Sequence, residues 1–189
     1  MLKRLGDVVL SALLLTLCWP LLAFIAILIV AESGWPVLFH QTRIGLGGHP
    51  FDVIKFRTLR PGAHDPAHPA EHATQVGRVL RRWALDELPQ LVNVLRGDMS
   101  LVGPRPTIPE QVAAYGPFER RRLEVRPGLT GWAQIHGRNA LSWPERIRLD
   151  VWYVDHADLR LDFRILLQTF RVLWSGKGLY GEGGENPGF

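Results

Sequence analysis

"VVLSALLLTLCWPLLAFIAILIVA" runs from Val8 to Ala31 without a charged residue. As a helix, this stretch would extend roughly 36 Å at about 1.5 Å per residue, long enough for a hydrocarbon core of about 30 Å. Pro20 lies near its middle. Proline removes a backbone hydrogen bond and crowds the carbonyl one turn back, so a kink or break is expected there. Each half is then roughly 17 Å long, about half the hydrocarbon thickness. Lys3 and Arg4 precede the run, and Arg43, Lys55, Arg57 and Arg60 follow it. Both flanks therefore carry the positive charge of a cytoplasmic face. A segment that enters and leaves the membrane on one side satisfies these features. A single-pass anchor stays open, because proline is tolerated in membrane helices. A cleaved signal peptide fits less well, since the run exceeds an ordinary h-region and no small-x-small site ends it.

The rest of the chain is basic through arginine. Net charge is +4, with 19 arginines against 3 lysines among 189 residues. Arginine's planar fork matches phosphate bidentately, so phosphates are the expected partners: lipid headgroups, nucleotides or both. Codon bias in a GC-rich genome gives the same composition and remains the competing explanation. Cys18 is the single cysteine, which excludes a disulfide framework and a thiolate metal site.

Beyond Gly34, "PVLFHQTRIGLGGHPFDVIKFRTL" reads as a hairpin, with Phe51, Val53 and Lys55 alternating on one face. Gly45, Gly47 and Gly48 make a plain turn, because the spacing and the following Lys-Ser/Thr of a phosphate loop are absent. His64, His68 and His72 recur every four residues, but Pro66 and Pro69 forbid the helix that would align them on a metal, so a solvated loop is expected. A helix follows from Thr74 to Trp83, with Val76, Val79, Leu80 and Trp83 on one face and Arg78, Arg81 and Arg82 largely on the other.

A second helix is expected in "LDELPQLVNVLRGDMSLVGPRP", Leu85 to Pro106, with Asp86 as N-cap, Pro89 in the first turn and Gly97 as C-cap. A carboxylate at a helix N-terminus should have a lowered pKa and stay ionised, and the same N-terminus suits a phosphate. Adjacent Asp86 and Glu87 diverge by about 100° on a helix, so one attacking and one holding a metal ion or proton is the expected division. An attacking carboxylate near phosphate needs cations to offset the repulsion. Arg81, and Arg105 held between Pro104 and Pro106, are placed to supply them. The competing reading makes Asp86 a simple cap and Arg105 a surface turn.

Four segments carry a resemblance: "KFRTL" (55–59), "LDELPQLVNVLRGDMSLVGPRP", "RPGLTGWAQIHGRN" (126–139) and "LDVWYV" (149–154). In this order they resemble the bacterial sugar transferase family, the small monotopic phosphoglycosyl transferases. The resemblance covers nearly the whole chain. It implies an α+β, mostly helical fold: a re-entrant membrane helix over residues 1–34, a short β-hairpin, amphipathic helices at the membrane surface, and a cytoplasmic catalytic domain over 35–189 integrated with the membrane helix. It implies that Asp86 attacks the β-phosphate of a UDP-sugar, releasing UMP, and that undecaprenyl phosphate then takes the phosphosugar from Asp86. Glu87 and Mg2+ would assist, with Asp86 and Glu87 as the metal-holding carboxylates. Arg81 and Arg105 match arginines near the phosphates, Arg138 one that reaches the nucleotide, and Asp150 and Asp162 acidic positions linked to activity. Lys55 and Arg57 are expected to grip phosphate, or to end a strand as solvated charge. The implied setting is the cytoplasmic side of a bacterial inner membrane, with the phospholipid bilayer and downstream glycosyltransferases as partners. Two departures stand out: Trp19-Pro20 replaces the family's Ser-Pro break, and Ala84 stands where Ser or Thr is frequent.

The remaining residues have plainer readings. Asp162 could cap the last helix, whose polar face is Arg164, Gln168, Arg171 and Ser175 and whose apolar residues include Leu166, Phe170 and Leu173. Trp35 suits a membrane interface, while Trp132, Trp143 and Trp152 are expected in the core. Arg120, Arg121 and Arg122 read as a solvated helix face interleaved with acids, so no nucleic-acid partner is expected. A basic membrane-binding module without chemistry is the alternative to the enzyme.

Overall fold

The computed structural model describes residues 1–60, 62, 72–137 and 140–175. The His64 and His68 positions and the Gly-rich C-terminal tail lie outside these residues. The apolar run belongs to one helix, α1 (Leu2–Ser33), which carries Pro20 inside an uninterrupted helical span. It is long and apolar enough to cross a membrane, with a mean hydropathy of 2.8 over its most apolar stretch. Few α1 residues are deeply buried, but its two ends are held. Asp7 accepts from the Ser100 hydroxyl (2.8 Å) and the Leu101 amide (3.1 Å), and Arg4 donates to the Val94 and Leu95 carbonyls. At the other end, Glu32 accepts from the Gln75 and Val76 amides, while Ile25 and Ile29 pack with Val37, Phe56 and Leu80.

The hairpin forms as expected: β1 (Leu38–Ile44) pairs antiparallel with β2 (Pro50–Phe56), in a register running from Leu38 opposite Phe56 to Ile44 opposite Pro50. Its turn uses Gly47 and Gly48 at φ 66° and 85°, a conformation only glycine adopts without strain. Helix α2 (Gln75–Arg82) starts at Thr74, whose hydroxyl accepts from the Gly77 amide. Of its apolar face only Leu80 is deeply buried, while Val79 and Trp83 are exposed.

The segment after α2 departs from the helix read in the sequence. Ala84 turns into the left-handed region (φ 54°), and Leu85–Gln90 forms a tight 3-10 stretch before α3 (Leu91–Arg96). Asp86 is thus inside the 3-10 turn rather than an N-cap, because Pro89 and the Ala84 reversal fix a tighter winding. Gly97 ends α3 at φ 98°, as expected of a C-cap. Asn93 is fully buried in α3 and acts as a side-chain extension of the hairpin: it accepts from the Ile54 amide (3.1 Å) and donates to the Asp52 carbonyl (2.7 Å).

A second, parallel pair escaped the sequence reading: β3 (Ser100–Val102) runs beside β4 (Gly128–Thr130). The backbones approach so closely at its end that a Cβ on Gly103 would lie 2.3 Å from the Arg126 carbonyl oxygen. Helices α4 (Pro109–Ala113), α5 (Pro117–Arg120) and α6 (Trp132–His136) are short. Helix α7 (Trp143–His156) starts with a capping box of Ser142 and Glu145. Helix α8 (Leu159–Ser175) is capped by Asp158, which accepts from the Leu161 amide at 2.6 Å; Asp162 is not its cap. The principal core gathers Leu91, Val94, Met99, Val102, Tyr153 and Ile165. Trp152 lies outside it, exposed and stacked on half-buried Trp132 at 4.6 Å. The chain is therefore mostly helical α+β, with a long apolar N-terminal helix and a short hairpin.

Candidate active site

Four elements bring charge to one place. Strand β2 contributes Lys55, the 3-10 turn Asp86 and Glu87, the end of α2 Arg81, and the loop after β3 Arg105. Lys55 Nζ donates to Glu87 Oε1 at 3.0 Å. Arg105 forks onto the same carboxylate, from Nη2 to Oε1 at 2.6 Å and from Nη1 to Oε2 at 3.3 Å. Arg81 Nε donates to the Thr58 hydroxyl at 2.8 Å, which fixes its guanidinium on the approach to Asp86. Among the described residues the half-buried Asp86 carboxylate has no hydrogen-bond partner.

This arrangement gives the adjacent carboxyls opposite electrostatics. Burial works to raise Glu87, but Arg105 and Lys55 outweigh it and hold Glu87 well below the usual carboxylate range. Asp86 moves the other way. Burial and the Glu87 charge raise its pKa against the pull of Lys55, Arg81 and Arg105. That corrects the lowered pKa expected of a helix cap, since Asp86 has no helix N-terminus to accept from and pays for desolvation beside a like charge. Glu87 is the fixed anion and Asp86 the unengaged, more basic carboxylate. Burial lowers the pKa of Lys55, and burial with Arg105 nearby lowers that of Arg43 to about 10.

The other expected site residues are elsewhere. Arg57 is buried at the C-terminus of α1, donating to the Pro36, Ser33 and Gly34 carbonyls. It satisfies the carbonyls a helix end leaves open. Asp162 accepts from Lys3 (2.5 Å) and the Tyr153 hydroxyl (2.6 Å), tying the start of α1 to α7 and α8. Asp150 is fully buried and accepts from Arg122 Nη2 at 2.5 Å. Arg122 is itself only 3% exposed, which corrects its reading as part of a solvated face; Arg121, paired with Asp155, fits that reading. Arg138 lies outside the described residues. The sequence reading also missed Thr58, Asn93 and Arg122 as supports, because each acts through a contact made far along the chain.

Asp86 and Glu87 are the carboxylates available to a metal ion. Among the described residues no group of three or more His, Cys, Asp or Glu side chains gathers. Mg2+ needs only one or two carboxylates when phosphate oxygens and waters complete its shell. The unengaged Asp86 oxygens fit that requirement, with Glu87 mostly committed to Lys55 and Arg105.

The sequence profile described as "Bacterial sugar transferase" matches residues 1–176. The uncharacterized sugar transferase EpsL of Bacillus subtilis is 44% identical, over 94% of this chain and 90% of its own length. The UDP-glucose:undecaprenyl-phosphate glucose-1-phosphate transferase of Caulobacter vibrioides is also 44% identical, over 94% of this chain and 72% of that protein. The undecaprenyl-phosphate galactose phosphotransferase of Salmonella typhimurium is 36% identical over 95% of this chain, which spans 42% of that longer protein. With this match over most of its length, the chain belongs to the bacterial sugar transferase family.

Proposed function

We propose that this protein transfers a sugar-1-phosphate from a UDP-sugar to undecaprenyl phosphate through a covalent intermediate on Asp86. The observation that carries the reading is the unequal dyad: Glu87 is occupied by Lys55 and Arg105, while Asp86 is unengaged among the same cations. An Asp86 carboxylate oxygen attacks the β-phosphorus, the bond to the bridging oxygen breaks, and UMP leaves with that oxygen. Undecaprenyl phosphate then attacks the acyl phosphate, which releases Asp86 as carboxylate and forms undecaprenyl-diphosphate-sugar. Arg81 and Arg105 offset charge on the phosphates as the attacking anion approaches. Lys55 and Arg105 keep Glu87 ionised and fixed. Mg2+, which the free Asp86 carboxylate would hold beside the engaged Glu87, would supply Lewis-acid stabilisation of the leaving UMP.

The relatives' names support the acceptor and the class of donor. A basic membrane module without chemistry has no use for an acid that occupies two of its cations.

The membrane reading proposed here places α1 in the bilayer from the cytoplasmic face of the inner membrane, both ends on one side. Its support is that both ends of α1 are fastened to the same body, by Asp7 and Lys3 at one end and by Glu32 and the Arg57 contacts at the other. A spanning helix would put those two ends on opposite faces of the bilayer, whereas the body they share lies on one face. Helix α8 adds a lipid-facing stripe: Leu159, Phe163, Leu167, Phe170 and Trp174 are all exposed, flanked by Arg160, Arg164 and Arg171. Leu166 packs instead against the core. The test is UMP release by detergent-solubilised protein with undecaprenyl phosphate, Mg2+ and a panel of UDP-sugars. Release with a donor, absent in Asp86→Asn, is expected; equal release by the variant contradicts the assignment.

A further inference from the structure

We propose that Arg122 is a positioning residue for the transfer: fixed by Asp150 and Tyr115, it holds the main chain at Arg105 and so aims the Arg105 side chain at Glu87, beside Asp86. The proposal rests on the reading of the reaction given above.

The Arg105 loop is held through its carbonyls. Pro104 and Pro106 have no amide N–H to offer. The Pro104 carbonyl accepts from the Gly128 amide (2.9 Å) and the Thr107 carbonyl from the Ile44 amide (2.8 Å). Between them, the Arg105 carbonyl accepts from Arg122 Nη2 at 3.1 Å and the Pro106 carbonyl from Arg43 Nη1 at 3.3 Å. Arg122 is thus the anchor at the residue whose side chain grips Glu87.

Its own fixation is strong. Nη2 also donates to Asp150 Oδ2 (2.5 Å), and Nη1 donates to the Tyr115 hydroxyl (2.5 Å). The Arg122 guanidinium further lies 5.4 Å from the Trp143 ring centre. Such a pair is a poor way to gain stability, since an apolar pair of similar volume commonly does as well. Among the described residues Arg122 Nε and Asp150 Oδ1 are also buried without a hydrogen-bond partner, which adds to the cost. What the pair supplies is a guanidinium of fixed orientation at the Arg105 carbonyl, and misplacing a phosphate-contacting group by about 1 Å can cost about 100-fold in rate.

The experiment compares wild type, Arg122→Gln and the charge-free double variant Arg122→Met/Asp150→Leu. Three quantities are read: kcat and KM for UMP release, the thermal midpoint, and, as the loop exchange, hydrogen exchange of the Gly128 amide, which donates to the Pro104 carbonyl of the Arg105 loop. Arg122→Gln is expected to lower kcat about 10- to 100-fold, to change KM much less, and to speed the loop exchange but not exchange in β1–β2. The double variant is expected to melt at or above the single variant, yet keep the low kcat and fast loop exchange. A structural role alone predicts the reverse: the double variant recovers kcat along with stability. That recovery, or unchanged loop exchange in Arg122→Gln, overturns the proposal. Should wild type release no UMP from any donor, the reaction reading fails by itself, and loop exchange still decides whether Arg122 anchors Arg105.

Discussion

Arg105 and Glu87 are joined by a forked pair of hydrogen bonds, at 2.6 and 3.3 Å, that spans two separate loops of the fold. Because this fork and Lys55 claim Glu87, the neighbouring Asp86 is the carboxylate without a hydrogen-bond partner among the described residues. The two carboxyls differ through their partners, although they are adjacent in sequence.

Asp86→Asn should abolish turnover and raise the thermal midpoint. Burial and the Glu87 charge raise the Asp86 pKa. An acid whose folded pKa is raised binds its proton more tightly folded than unfolded, so its ionised form works against the fold above that pKa. For the same reason the acid limb of the pH–rate profile should lie above the ordinary aspartate value of about 3.9. Thermal denaturation at neutral pH and a pH–kcat series check both points; a variant that melts lower than wild type would contradict the first.

Glu87→Gln should behave oppositely. Its folded pKa is depressed despite burial, because Arg105 and Lys55 favour the anion. Stability from such a group is complete above its unfolded pKa of about 4.3 and is lost as pH falls through the depressed folded value. The substitution should cost roughly 1–3 kcal/mol near neutrality by leaving Lys55 and Arg105 incompletely paired, moderated because the Arg105 side chain is 40% exposed. Denaturant titrations of both proteins should show the difference shrinking in acid. A difference that grows as pH falls would contradict the pairing.

The two ends of α1 should face the same compartment. With Cys18 changed to serine, single cysteines at Leu2 and Trp35 should react with an impermeant maleimide only from the cytoplasmic side of oriented vesicles. Labelling from opposite sides would establish a spanning helix and remove the re-entrant reading.

Chelation with EDTA should stop UMP release, and Mg2+ should restore it. Asp86→Asn should remain inactive at saturating Mg2+. Undiminished turnover after exhaustive chelation would take the metal out of the mechanism.

Much of this arrangement is legible in the sequence because it rests on local rules. The uncharged run from Val8 to Ala31 gives α1, alternation and a glycine turn give the hairpin, and Thr74 and Gly97 mark helix ends. Arg81 and Arg105 lie beside the dyad, where the sequence suggested cations, while Lys55, expected to grip phosphate or end a strand, pairs with Glu87. What stayed hidden depends on distant contacts. Arg122 sits in a row of three arginines whose local pattern does not show that one points inward to Asp150, 28 positions away. The parallel pair β3–β4 spans only three residues a side, too short for any period to show. Asp86 looked like a helix cap because its neighbours are helix-compatible; the positive φ at Ala84 that winds the turn tighter leaves no mark on an alanine.

The most direct test of the central claim is a single-turnover experiment without undecaprenyl phosphate, using whichever UDP-sugar supports turnover. Acid-quenched enzyme is analysed for UMP and, by peptide mass spectrometry, for an adduct. The account predicts UMP release of at most one equivalent per enzyme and a sugar-phosphate adduct on the peptide containing Asp86, discharged when undecaprenyl phosphate is added. UMP release that strictly requires undecaprenyl phosphate, with no adduct on Asp86 at any time, would contradict it.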